Sequence, residues 1–205
     1  MQMTNAWNRI AYRLWAPIYD VTISQLFKPG RRRALAALAP QPGERVLLIG
    51  VGTGLDLPGL PAGAAALGVD LSPAMLAQAR RKLPRCRAAV QLVQGDAQAP
   101  VCAAESCDAA VLNLILTVVP DGHACLTAAL HALRPRGRLV IFDKFQPDAA
   151  PLTRPRRALN FFSTLLGTDI TRRFGDLRRG CPVEVVLDEP SLGGGLYRVI
   201  VLRKL

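Results

Sequence analysis

The sequence predicts a doubly wound α/β fold, a mostly parallel sheet with helices on both faces. Short apolar runs of strand length (RVLLI, AVQLV, DAAVLNLIL, GRLVIF) alternate with helical stretches. The first run breaks off in three glycines spaced two apart, Gly50, Gly52 and Gly54. The chain then closes on PVEVVLDEPSLGGGLYRVIVLRK, which reads as two strands around a glycine turn. Strand and helix in alternation imply parallel strands with crossover helices, and the final hairpin closes one edge of the sheet.

Each element has a local reason. Trp7, Ile10 and Leu14 share a helical face opposite Arg9 and Arg13, so the opening reads as a short amphipathic helix stopped by Pro17. A second helical stretch begins near Gly30. RVLLI, after the Pro42–Gly43 turn, is continuously apolar and suits a strand covered on both faces. In SPAMLAQARRKL, Ser72 caps a helix, Pro73 fits its first turn, and Arg80, Arg81 and Lys82 suit the negative end of its dipole. HACLTAALHAL is the next helix, and an arginine-rich helical stretch is expected from about Leu152 to Arg179. At 205 residues the whole reads as a single domain. Its expected parts are an N-terminal helical lid (1–40), a binding core (41–145), and a C-terminal helix with the closing hairpin (146–205).

Composition narrows the function. No apolar run reaches the roughly 20 residues needed to cross a bilayer, and the N-terminus lacks the pattern of a secretory signal. A cytoplasmic protein is expected. The five cysteines form no C-x-x-C pair or zinc-site spacing and read as reduced thiols. The net charge of +11 comes from clustered arginines (GRRR, RPRGR, TRPRR). Such a surface attracts phosphate, nucleic acid or acidic lipid, or is simply a set of solvated faces.

The glycine loop carries the sharper signal. In open parallel sheets ligands bind beyond the carboxyl ends of the strands where strand order reverses, and glycine lets backbone N–H groups approach a ligand closely. A dinucleotide fingerprint, G-x-G-x-x-G, would place its third glycine at 55, where the chain has Leu55. Instead Asp70 ends the next strand, placed to accept from a ribose hydroxyl pair, and Asp96 follows the third strand, placed to accept from an adenine amino group. Leu71 and Ala97 would line the adenine slot.

Glycine loop, ribose acid and adenine acid in this order resemble the class I S-adenosylmethionine-dependent methyltransferases across essentially the whole chain. The resemblance implies a Rossmann-like seven-stranded sheet, mostly parallel with an antiparallel C-terminal strand. It also implies S-adenosyl-L-methionine as cofactor, no metal, and a strand-four tip around Asn113 and Leu114 beside the methionine end of the cofactor. WAPIYD at 15–20 and LTVVPD at 116–121 are similar to the small bacterial phosphatidylethanolamine N-methyltransferases and the quinone-methylating group. That likeness implies a small-molecule or lipid acceptor and N-terminal helices that cover the cofactor and meet an anionic membrane surface, with the basic amphipathic helix suited to either contact.

Two positions depart from the family. Relatives usually carry an acid two residues before the first glycine, where this chain has Leu48. Restoring Glu there is expected to tighten cofactor binding if the rest of the site is ordinary. Where the phospholipid enzymes have Asn-His after strand five, this chain has Asp143-Lys144. An amine or phenol acceptor must lose a proton, and Tyr19, Asp143 and His123 are the candidate bases. Each has a plainer reading: Tyr19 as a lid residue, Asp143 paired with Lys144, His123 on the surface at a helix start. Three rivals stand beside the methyltransferase reading. Nucleic-acid methylation lacks an aromatic-rich stretch for base stacking, a cofactor binder without transfer is suggested by Leu48, and a nicotinamide dehydrogenase is disfavoured by Leu55 and Asp96.

Overall fold

A computed structural model describes residues 25–147 and 168–205. The helix expected around Trp7, Tyr19 and the arginine cluster at 153–157 lie outside them. Seven strands form one sheet: β1 (Arg45–Ile49), β2 (Ala65–Asp70), β3 (Ala89–Gln94), β4 (Cys107–Asn113), β5 (Leu133–Lys144), β6 (Val183–Leu192) and β7 (Tyr197–Lys204), in the order β3-β2-β1-β4-β5-β7-β6. β1 to β5 pair in parallel, and β7 runs antiparallel between β5 and β6. Strand order reverses between β1 and β4, which opens a crevice at their carboxyl ends.

Alternation along the strands divides the core into two layers. Leu47, Ile49, Leu112, Leu139 and Ile141 face helix α3 (Gly122–Ala132) through Cys125, Leu126 and Ala129. Val46, Leu48, Val111, Val140 and Phe142 face the other way, toward Ala34 and Leu38 of helix α1 (25–38) and Leu76 and Ala79 of α2 (Pro73–Arg80). The capping expectation holds, since Ser72 accepts from Met75 N at 3.4 Å. Asp121 caps α3 in the same way, accepting from Ala124 N at 2.9 Å.

Three elements differ from expectation. α1 is already helical at residue 25, so Gly30 lies inside it. A Cβ at Gly30 would fall 2.2 Å from the Phe142 ring, so the glycine is there for close helix-to-sheet contact. Gly30→Ala is expected to cost about 1–2 kcal/mol net, because overpacking outweighs the ~1 kcal/mol gain in helix propensity. Urea unfolding measures it. Second, the expected helix at 152–179 has its first part outside the described residues, and over 168–179 only Phe174–Leu177 (α4) is helical. Third, α3 passes straight into β5 at Leu133, and the RPRG stretch is absorbed as an irregularity in the strand around Arg136, whose φ is 63°.

Several of the arginines are tied to other elements by ion pairs. Arg33 pairs with the Glu189 carboxylate and donates to Pro190 O, joining α1 to β6. Arg138 grips both oxygens of Glu44 at 2.9 and 2.8 Å, and Arg134 binds Asp108 at 2.5 Å. The GRRR and RPRGR clusters are therefore partly structural rather than freely solvated. All five cysteines are free thiols.

Candidate active site

The crevice between β1 and β4 is a cavity at the strand carboxyl ends. Its wall includes Gly50, Gly52, Asp70, Leu71, Asp96, Ala97 and Asn113, seven of the eight residues expected to meet the cofactor. Gly54 is not on the wall. A Cβ there would press on Ala79 Cα at 3.0 Å and Leu57 Cδ1 at 2.9 Å, so this glycine serves the packing of the loop on α2. Gly50 and Gly52 both take positive φ, 68° and 56°, which ordinary side chains disfavour. Above Gly52 the space is open, the nearest atom to an added Cβ being Gly50 O at 3.9 Å.

The loop is held from three sides. Val51 N donates to Val69 O at 2.9 Å. Asp70 accepts from Gly52 N at 2.8 Å through one carboxylate oxygen and from Ser72 N at 2.9 Å through the other. From the end of α2, Lys82 Nζ donates to Thr53 O at 2.7 Å. Burial pushes the Asp70 carboxyl above its usual range, and the two backbone bonds from Ser72 and Gly52 only partly offset this. Each of its oxygens keeps a second lone pair. Asp96 accepts twice from Gln98, at the backbone N and at Nε2, both at 3.0 Å, and Gln98 Oε1 accepts from Asp121 N at 2.7 Å. That chain of bonds joins the third strand tip to the cap of α3.

Two charged wall residues were not expected from the sequence. Asp56 accepts from Arg31 Nε through one oxygen and from Asn113 Nδ2 through the other, each at 2.9 Å. The Arg31 and Asp56 side chains are only 12% and 11% exposed. Among the described residues Asn113 Oδ1 is buried without a hydrogen-bond partner, an unusual state for a buried acceptor. Arg31 was hidden within GRRR, where the run suggested a surface. The only available signal was that the chain, lacking an acid at 48, has one six residues past Gly50.

The candidate bases are dispersed. Asp143 is fully buried. Its oxygens accept from Thr117 N at 3.1 Å, Thr117 Oγ1 at 2.7 Å and Lys144 N at 2.8 Å. It is a structural acid at the strand tip, not a group presented to an acceptor. The expected direct pairing with Lys144 is replaced by a relay, because Lys144 Nζ donates to Thr117 Oγ1 at 3.2 Å. His123 is exposed, with Nδ1 2.8 Å from Leu177 O, in a separate surface cleft with Arg172 and Arg173. Neither lies on the cavity wall.

A methyltransferase domain model matches residues 47–141. The chain is 33% identical to a phosphatidylethanolamine N-methyltransferase of Cereibacter sphaeroides over 91% of its length and 92% of that protein. It is 36% identical to a demethylmenaquinone methyltransferase of Beutenbergia cavernae over 59% of its length and 49% of that protein. Among solved structures, an S-adenosylmethionine-dependent methyltransferase from Thermotoga maritima superposes with a TM-score of 0.67 at 21% identity, covering 95% of this chain and 100% of that one. The fold and these matches define an S-adenosylmethionine-dependent methyltransferase, and the chain belongs to that family. Within it, the chain is similar to the small bacterial phosphatidylethanolamine N-methyltransferases, and its cofactor is S-adenosyl-L-methionine.

Proposed function

We propose that this methyltransferase acts on a small or lipid-like acceptor, with the headgroup amine of an ethanolamine phospholipid as its first substrate class. The near full-length match to a phosphatidylethanolamine N-methyltransferase carries this reading. The quinone-methylating relatives support the broader class over a shorter span. Among the described residues no helix is long and apolar enough to cross a membrane, so the lipid reading requires contact at the bilayer surface. The lid expected at 1–40, with the amphipathic pattern around Trp7, is proposed to supply it.

The cavity suits the cofactor on its own chemistry. Asp70 would accept from the ribose hydroxyls through its remaining lone pairs, and Asp96 from the adenine amino group, with Leu71 and Ala97 against the base. Gly50 and Gly52 would bring the backbone against the methionine portion. There Arg31 offers a cation for the carboxylate, and the orphan acceptor Asn113 Oδ1 offers a partner for the ammonium. Asp56 would hold Arg31 and Asn113 in place, the task left open by Leu48.

When bound, the cofactor supplies a methyl group on a sulfonium for in-line displacement. The chain's part is mainly orientation, worth up to ~7–11 kcal/mol when the reacting atoms are held in near-attack geometry. With Asp143 enclosed and His123 remote, proton removal falls to Tyr19 or to solvent.

Purified protein, radiolabelled S-adenosylmethionine and a fractionated cell extract test the reading. Label is expected in the phospholipid fraction. Label in quinone would shift the acceptor within the proposed class, whereas label confined to RNA, or none at all, would overturn the proposal.

A further inference from the structure

Lys144 is a charged side chain only 8% exposed, at the carboxyl end of β5. Lysine is almost never buried this fully without a partner. Its Nζ makes one hydrogen bond, to Thr117 Oγ1 at 3.2 Å, and sits 5.7 Å from the centre of the Tyr197 ring. An ammonium has three donors, so two N–H bonds have no acceptor among the described residues. The carboxylates nearby do not serve them. Asp143 is already taken by Thr117 and the Lys144 backbone, and Asp169 is occupied by Thr171 and by Arg172 at 3.5 Å. Burial depresses the Lys144 pKa, and the charges of Asp143 and Asp169 only partly oppose the shift. Retaining such a group in a strand tip costs stability that an apolar side chain would not.

Its position gives the cost a purpose. Thr117, to which Lys144 is bonded, directly precedes Val118 and Val119 on the cavity wall. The ring of Tyr197 packs on Phe27 of α1, with centroids 4.9 Å apart. Lys144 is therefore one contact behind the cavity wall, through Thr117, and one contact from α1, the described part of the proposed lid, through Tyr197.

We propose that Lys144 is the acceptor-recognition residue of this methyltransferase, and that its two free N–H donors bind a phosphate oxygen of the phospholipid headgroup. This rests on the ethanolamine-phospholipid reading and goes beyond it. A phosphate held at Lys144 would set how far the headgroup amine reaches toward the methyl position, so the residue selects acceptors that carry an anion near the nucleophile. Asp143, enclosed and bonded to Thr117, positions the threonine that holds Lys144.

Calorimetry with glycerophosphoethanolamine and with inorganic phosphate, each added to protein saturated with S-adenosylhomocysteine, tests the assignment without requiring turnover. Wild-type protein is expected to bind glycerophosphoethanolamine saturably, Lys144→Met to bind it at least about tenfold more weakly, the order expected for losing hydrogen bonds to a charged group, and Lys144→Arg to retain most of the affinity. Tighter binding of the diester than of free phosphate identifies the lipid headgroup as the source of the anion; equal, Lys144-dependent binding of both identifies a general phosphate site at the same residue. S-Adenosylhomocysteine affinity should be unchanged in both variants, showing that they are folded. Absence of glycerophosphoethanolamine binding to wild type, or equal binding by Lys144→Met, overturns the proposal. Failure of the wild type to bind S-adenosylhomocysteine would instead overturn the cofactor seat.

Discussion

Asp70→Ala is expected to weaken S-adenosylmethionine binding by about 100-fold or more. The carboxylate does more than face the ribose. It also accepts Gly52 N and Ser72 N, so its removal strands two backbone donors in a part-buried loop. In the open cavity water can serve those donors, but a bound cofactor excludes it, so each donor left unsatisfied then costs roughly 1–3 kcal/mol, and every 1.4 kcal/mol is tenfold in affinity. Asp70→Asn keeps one acceptor oxygen and should fall between the variant and wild type. Acid should mimic the loss. Because burial holds the Asp70 carboxyl above its ordinary value, its ionised form is lost on acidification earlier than an exposed aspartate would lose it. Cofactor affinity should therefore decline starting above the usual carboxylate range, and Asp70→Asn should flatten that decline. The sign for stability is opposite. A carboxyl with a raised native pKa binds protons more readily when folded, so its contribution to stability falls as pH rises through the interval from the unfolded value to the native one. Isothermal calorimetry across pH separates the two effects, and pH-independent wild-type affinity would exclude ionised Asp70 as a ligand.

Much of the cavity wall could be read along the chain because it is built at strand ends, where sequence order and spatial order agree. Gly50 and Gly52, Asp70 and Asp96 follow three consecutive parallel strands, and a parallel sheet brings consecutive tips to one side. What failed to show was long-range pairing. Arg31 meets Asp56 across 25 positions and Asn113 meets Asp56 across 57, and neither contact leaves a periodic trace. Asp143 misled for a related reason. A carboxylate at the end of a strand looks available to a substrate, but Thr117, 26 residues earlier, encloses it. Gly54 shows the same limit at short range, since a motif position identified it but the packing of α2 explains it.

Leu48→Glu is expected to lower stability by about 3 kcal/mol or more, the scale of an unpaired buried carboxylate, and not to tighten cofactor binding. The expectation that a restored acid would help assumed that position 48 faces the cofactor. Leu48 is 2% exposed, packs in the layer with Ala34, Leu38, Val140 and Phe142, and is absent from the cavity wall. The acid on the wall is Asp56, already bridging Arg31 and Asn113. Asp56→Ala should therefore reduce S-adenosylmethionine affinity by about 100-fold, since it unpairs a guanidinium and an amide together, and adding Leu48→Glu should not restore it. Methylthioadenosine, which lacks the amino-acid end, should lose far less affinity for Asp56→Ala than S-adenosylhomocysteine does. The stability loss in Leu48→Glu carries its own signature. Burial raises the pKa of an introduced carboxyl, so the folded state tolerates the protonated form best, and the deficit in melting temperature should shrink on acidification and grow as pH rises through the shifted pKa. A Leu48→Glu protein with wild-type stability at neutral pH and tighter cofactor binding would return the acid's role to β1 and leave Asp56 with the structural task of anchoring α1.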